Sequence, residues 1–212
     1  MTRMRQRWLP LTVLVAAVSL LVASMLWVAR APGGWQGVGM MAPGFAGPFV
    51  PGDRPAPTLK DAEQAAARFG ASWGLSVGEV MQFDNGFYAE LAQPSGSLAT
   101  EVLVDPGTGS VQLEFGPAMM WNTAYGMSPA VDARQDDIGP ERAQAAAGQW
   151  LSTNRPGDRA GEAEAFPGYY TLHVLRGDRV TGMLSVRAST GAVWYHAWHG
   201  RFVALAEHGE AQ

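Results

Sequence analysis

The distribution of apolar positions divides the chain into four kinds of segment. Residues 8–29 carry no charge and are dominated by Leu, Val and Ala. Residues 32–57 show neither a helical nor a strand period and hold seven Gly and six Pro. Pro at that density removes the backbone donors that either structure needs. Beyond them, helical spacing gives way to alternation, and then does so again. Thr58 is placed to cap a helix, with Asp61 three residues later as in a capping box. Ala62, Ala65, Ala66 and Phe69 mark one helical face. Alternating runs then predict strands over 79–83, 87–92, 100–104 and 110–115, with turn residues at Asp84-Asn85-Gly86 and Asp105-Pro106-Gly107-Thr108-Gly109. The second passage predicts a helix over 140–151, with Pro140 in the first turn where a missing donor is harmless. Strands are expected over 162–166, 169–175, 180–187 and 192–198, with turns at Arg176-Gly177-Asp178 and Ala188-Ser189-Thr190-Gly191.

The two passages repeat one another. Ala62, Ala66 and Phe69 are answered 81 positions later by Ala143, Ala147 and Trp150. Phe83 followed by Phe87-Tyr88 answers Phe166 followed by Tyr169-Tyr170, and Thr108-Gly109 answers Thr190-Gly191. Recurrence at a near-constant offset marks duplicated modules. A unit of about 60 residues buries little surface alone, so the two are expected to share an interface, with strand edges and aromatic residues contributing to it.

As a helix, the uncharged run spans about 33 Å, close to the hydrocarbon thickness of a bilayer. Arg3, Arg5 and Arg7 precede it and only Arg30 follows, which leaves the amino terminus in the cytoplasm and the remainder outside. The run is longer than the apolar region of a cleaved signal, and its one Ala-x-Ala, Ala29-Arg30-Ala31, has a bulky cation at its centre. The expected organisation is a cytoplasmic tail (1–7), a transmembrane anchor (8–30) and a Gly/Pro-rich linker (31–57). A first module (58–125), a connecting loop (126–137), a second module (138–204) and a tail (205–212) follow.

Charge and cysteine content narrow the function. All 19 acidic residues lie after position 30, whereas four of the 15 Lys and Arg lie at or before it. The outer part is therefore acidic, which argues against nucleic acid and anionic lipid surfaces as partners. The chain has no Cys, so disulfides, thiolate chemistry and Cys-linked haem are excluded.

The opening patterns Leu59-Lys60-Asp61-Ala62-x-x-x-Ala66 and Pro140-Glu141-Arg142-Ala143-x-x-x-Ala147 resemble PepSY-type modules, which take their name from peptidase propeptides and a spore-germination protein. The aromatic second strand and the closing strands joined through Thr-Gly share that resemblance. The tails Gly116-Pro117-Ala118-Met119-Met120-Trp121-Asn122 and Trp194-Tyr195-His196-Ala197-Trp198-His199-Gly200 look like those of anchored prokaryotic proteins rather than of protease propeptides. The resemblance implies an α+β fold: two units, each one helix on a three- to four-stranded antiparallel sheet, which here follow the single transmembrane helix expected from the apolar run. It also implies a regulator of a peptidase or of another envelope protein, and supplies no catalytic residues.

Candidate chemistry is sparse. No Gly-x-Ser-x-Gly or His-Glu-x-x-His is present, and the chain is not expected to be an enzyme. Asp136-Asp137 suits a helix start, and Glu162 and Glu164 are expected to face solvent. The aromatic residues Trp121, Tyr125, Trp194, Tyr195 and Trp198 suit either packing or a groove for a protein segment. No cofactor is expected on the main reading. The alternative is a copper site using Met119, Met120 and Met127, soft ligands for Cu(I), with His196 and His199. On a strand those two histidines face opposite sides, and only a turn beginning at Ala197 brings them together. A structural subunit of a membrane complex is a further alternative.

Overall fold

The computed structural model describes residues 49–127 and 138–206. The expected anchor, most of the linker, most of the connecting loop, the end of the tail and Asp136-Asp137 lie outside the described residues. Among the described residues no helix is long and apolar enough to cross a membrane.

The fold is α+β with two antiparallel sheets. Strand β1 (Phe49–Val50) precedes helix α1 (Leu59–Ala71), after which come β2 (Ser76–Phe83), β3 (Gly86–Ala92), β4 (Leu98–Val104) and β5 (Val111–Leu113). The short helix α2 (Pro117–Met120) closes that half. Helix α3 (Pro140–Asn154) opens the next, followed by β6 (Arg159–Ala160), β7 (Glu164–Phe166), β8 (Tyr169–Arg176), β9 (Arg179–Arg187), β10 (Val193–Tyr195) and β11 (Phe202–Ala206). The first sheet has the order β1-β5-β4-β3-β2-β11, and the second the order β10-β9-β8-β6 with β7 also on β8.

Helix α1 begins as its sequence dictates. Thr58 Oγ1 accepts from the Asp61 amide at 3.2 Å, filling one donor that a helix start leaves open. Its buried face of Ala62, Ala65, Ala66 and Phe69 lies on Val80, Phe87, Ala89, Leu91, Val102, Val104, Val111 and Leu113 of the first sheet. Small side chains let helix and sheet backbones approach. Helix α3 does the same with Ala143, Ala147 and Leu151 against Tyr170, Leu172, Val174, Leu184 and Val186. Period-two alternation sends the intervening residues to the opposite faces. Those faces meet, so the layers run α1, first sheet, second sheet, α3. Met81, Phe83, Tyr88 and Met183 form part of the seam.

The halves share hydrogen bonds as well as elements. Gly109 N donates to Asp105 O at 2.8 Å, and Gly191 N to Arg187 O at 2.8 Å. Glu114 N donates to Glu101 O at 2.9 Å, and His196 N to Met183 O at 3.0 Å. Each position in the second bond of a pair stands 82 residues after its counterpart.

Three expectations are corrected. The linker is not structureless up to residue 57: Phe49 and Val50 pair with Gln112 and Val111, and Ala56 is buried in the first core. An outer strand tolerates nearby Pro because one of its edges needs no donors. The stretch after His199 does not end the second sheet; β11, which includes Leu205 and Ala206 of the expected tail, pairs with β2 of the first. Finally, Phe87-Tyr88 does not answer Tyr169-Tyr170. Both hairpins use two-residue turns, pairing Phe83 with Gly86 and Phe166 with Tyr169, so Phe87 corresponds to Tyr170. A slip of one residue along a strand exchanges its faces: Phe87 and Tyr170 face helices, while Tyr88 and Tyr169 face the seam.

Candidate functional site

The seam between the sheets is apolar at one end and polar through its middle. Glu90, Glu101, Glu114, Thr171, Ser185 and His196 are all buried there. Burying such groups costs free energy unless each finds a partner, and here most of their polar atoms contact one another. Glu101 Oε1 accepts from Tyr88 Oη at 2.8 Å, and its Oε2 from Tyr169 Oη at 2.7 Å. The Thr171 hydroxyl lies 2.9 Å from Ser185 Oγ. Ser185 Oγ lies 2.9 Å from His196 Nε2.

The chain of contacts ends at Glu114. Its Oε1 lies 3.2 Å from His196 Nδ1 and 2.7 Å from His199 Nε2, and accepts from Trp198 Nε1 at 3.2 Å. The His196 contact has the distance of an ion pair without the alignment of a hydrogen bond, so His196 Nδ1 and Glu114 Oε2 are buried with no hydrogen-bond partner. Ligand atoms from Glu114, His196 and His199 all lie within 4.8 Å of one another. Glu114 directly follows β5 and His196 directly follows β10, at positions 82 apart, and the pairing of the sheets sets them face to face.

His199 is held from three sides. Its ring stacks on Phe83, with centroids 4.2 Å apart. Asn85, in the β2–β3 turn, donates from Nδ2 to Trp198 O at 2.8 Å and accepts from Gly200 N at 2.8 Å. Asp84 accepts from Arg201 N and Nε, each at 2.9 Å. A Cβ at Gly200 would displace the Asp84 carboxylate that holds Arg201. A cleft of about 190 Å³ lined by Asn85, Leu103, Gln112, Phe115 and Trp198 reaches His199 from outside.

Electrostatics separate the buried carboxyls. Burial alone would raise the Glu114 pKa, but the charge of His196 close by and the hydrogen bond from and charge of His199 prevail and lower it to about 2. Burial would lower that of His196, and Glu114 reverses this, so it is raised. Burial and the charge of Glu114 push Glu101 up to about 7. Glu90 rises to about 10, through burial and then through the charge of Glu164 and a hydrogen bond shared with it. Glu164, expected to face solvent, is in fact half-buried and raised by burial.

The aromatic residues singled out in the sequence part company. Trp121 and Trp194 meet edge to face at 5.5 Å, Trp194 and Trp198 at 6.5 Å, and Trp198 and Phe115 at 6.3 Å. This ridge is contributed by both halves, and Phe115 (44% exposed) and Trp194 (39%) reach solvent on it. Gly116, with φ 70°, brings the chain beneath: a Cβ there would lie 3.1 Å from Trp194 and 3.3 Å from Trp198. Tyr125 instead stacks on Trp73 in the α1 layer. Tyr195 stacks on Trp150 of α3, with the Arg155 guanidinium 4.7 Å from its ring centre. The methionines separate too: Met119 packs on the first core, while Met120 and Met127 are exposed. The histidines converge because the chain turns at Ala197-Trp198.

Sequence reasoning passed over Glu114 and Glu101. The Thr-Gly offset of 82 was the available signal for Glu114, since it aligns Glu114 with His196. Glu101 carried none, because a lone Glu between Thr100 and Val102 reads as a solvated strand position.

No family model and no curated protein matches this sequence. Among solved structures, the chain is similar to the Bacillus megaterium YpeB C-terminal domain, at 14% identity and a TM-score of 0.36, over 70% of this chain and 71% of that one.

Proposed function

We propose that this chain is a membrane-tethered binding module outside the cytoplasm, built from two PepSY-like units, that holds or regulates another envelope protein, a peptidase foremost, and has no catalysis of its own. The observation that carries the reading is the ridge Phe115, Trp198, Trp194 and Trp121. A contiguous apolar surface with exposed Trp and Phe is uncommon on a protein with no partner, and aromatic anchors dominate protein interfaces. Beside it, β10 is an outer strand of the second sheet, so an extended segment of the partner can add along it while its side chains rest on the ridge. The uncharged run of residues 8–29 supports the tether, and the hydrogen bonds recurring 82 residues apart support the duplicated unit.

The test is a photo-crosslinking residue at Phe115 of the full-length protein in its native membranes, with the same residue at exposed Arg142 as the reference. A discrete adduct with one envelope protein, formed only from position 115 and abolished by Trp194→Ser, is expected. Hydrolysis by that partner, measured with and without this protein, then tests regulation. Equal labelling from both positions would sink the proposal.

A further inference from the structure

Glu114, His196 and His199 are supplied by different parts of the fold and meet at the seam. Their nearest ligand atoms are 2.7 and 3.2 Å apart around Glu114 Oε1. A tetrahedral ion with nitrogen and oxygen ligands at about 2.1 Å needs donor atoms about 3.4 Å apart, so small rotamer adjustments suffice. Two further observations point to a ligand. His196 Nδ1 and Glu114 Oε2 are fully buried without hydrogen-bond partners, a condition that folded proteins rarely leave unresolved. His196 also has its other nitrogen engaged by Ser185 Oγ at 2.9 Å, the arrangement that orients a ligating imidazole and sets its tautomer.

We infer that Glu114, His196 and His199 bind a divalent transition-metal ion of the zinc type, with the fourth position open toward the cleft beside His199. Two imidazoles and a carboxylate form a nitrogen–oxygen set, which suits Zn2+ and similar divalent ions and does not select the Cu(I) that thioethers would hold. Because Glu114 follows β5 and the histidines follow β10, the ion ties the two sheets together. His199 further depends on the β2–β3 turn through Asn85, so the site exists only when both halves are assembled. Loading therefore stabilises the assembled state by mass action. The cleft is lined by Phe115 and Trp198 of the aromatic ridge, which places the ion directly beneath that surface.

The experiment uses full-length protein in detergent, stripped with a chelator and titrated with Zn2+. A single ion bound per chain is expected, and Co2+ in its place gives the visible absorption of a tetrahedral nitrogen–oxygen site. Ser185→Ala weakens binding by roughly 10- to 100-fold, as loss of an outer hydrogen-bond partner does. Glu114→Gln and His199→Gln weaken it further, and His208→Gln leaves it unchanged. Thermal melts in chelator establish that each variant is folded. Should Glu114→Gln fail to fold, His199→Gln decides, since its ring lies at the margin of the site. Absence of a bound ion, or an unchanged affinity in folded His199→Gln, overturns the inference. Crosslinking at Phe115 is read separately, so the partner and the metal succeed or fail independently.

Discussion

Each sheet has one face against a helix and one face against the other sheet, and the two environments are built from opposite chemistry. Against α1 and α3 the buried side chains are mostly Ala, Val, Leu and Phe, with the hydroxyls of Tyr170 and Thr100. Between the sheets lie three buried Glu, two Tyr, a His and a Thr–Ser pair. The first environment stabilises simply by removing apolar area from water. The second would be replaced at little cost by apolar residues of the same shape, since buried ionic groups seldom add net stability. A polar middle layer is therefore best explained by what it holds and positions, whereas the helix faces are explained by packing.

Breaking the outer layer should have the largest effect. Phe69→Ala empties a fully enclosed position under α1 and is expected to cost about 3–5 kcal/mol in urea unfolding. Tyr169→Phe acts in the middle layer. It removes the donor to Glu101 Oε2 and leaves that oxygen partly unsatisfied, an expected loss of about 1–3 kcal/mol visible in the same assay. If both substitutions cost the same, the distinction between the layers is lost.

The pH dependence sharpens the comparison. Glu101 has a folded pKa raised to about 7 from an ordinary value of 4.5, so the folded state holds its proton where the unfolded state has released it. Its contribution is fully present below about pH 4.5 and disappears as pH rises to about 7, with a slope of up to about 1.4 kcal/mol per pH unit. Glu90, raised to about 10, extends the same trend upward. In chelator, Glu101→Gln should flatten the stability profile between pH 5 and 7, while Phe69→Ala shifts the whole profile without changing its slope. An unchanged slope in Glu101→Gln would show that its proton does not contribute. Trp194→Ser loses two edge-to-face ring contacts, at about 0.5–1.5 kcal/mol each, and the same change should abolish the crosslink from Phe115.

Much of the outer layers was legible along the chain. The cap at Thr58, the Ala faces of α1 and α3, and the hairpin turns at Asp84-Asn85 and Gly177-Asp178 are local matters of propensity and period, and they stand where the pattern placed them. The register of Phe87-Tyr88 against Tyr169-Tyr170 was misleading, because an aromatic pair looks alike in either register and only the length of the turn assigns its faces. The ridge was half legible. Trp121, Trp194 and Trp198 were evident by density, but that Tyr125 and Tyr195 turn toward separate helices depends on the turn after α2 for the first and on the face of β10 for the second.

The sequence by itself determined α1, α3, the hairpin strands that follow each, the recurrence and the acidic, cysteine-free character, since each follows from neighbours within a few residues or from composition. Only the tertiary structure decided that β11 completes the first sheet, that Glu101 lies between two tyrosines, and that Glu114 meets His196 and His199. Apart from that of Tyr88 with Glu101, those contacts join residues 68 to 126 positions apart. The stacking of one sheet on the other brings them together, and no local periodicity encodes it.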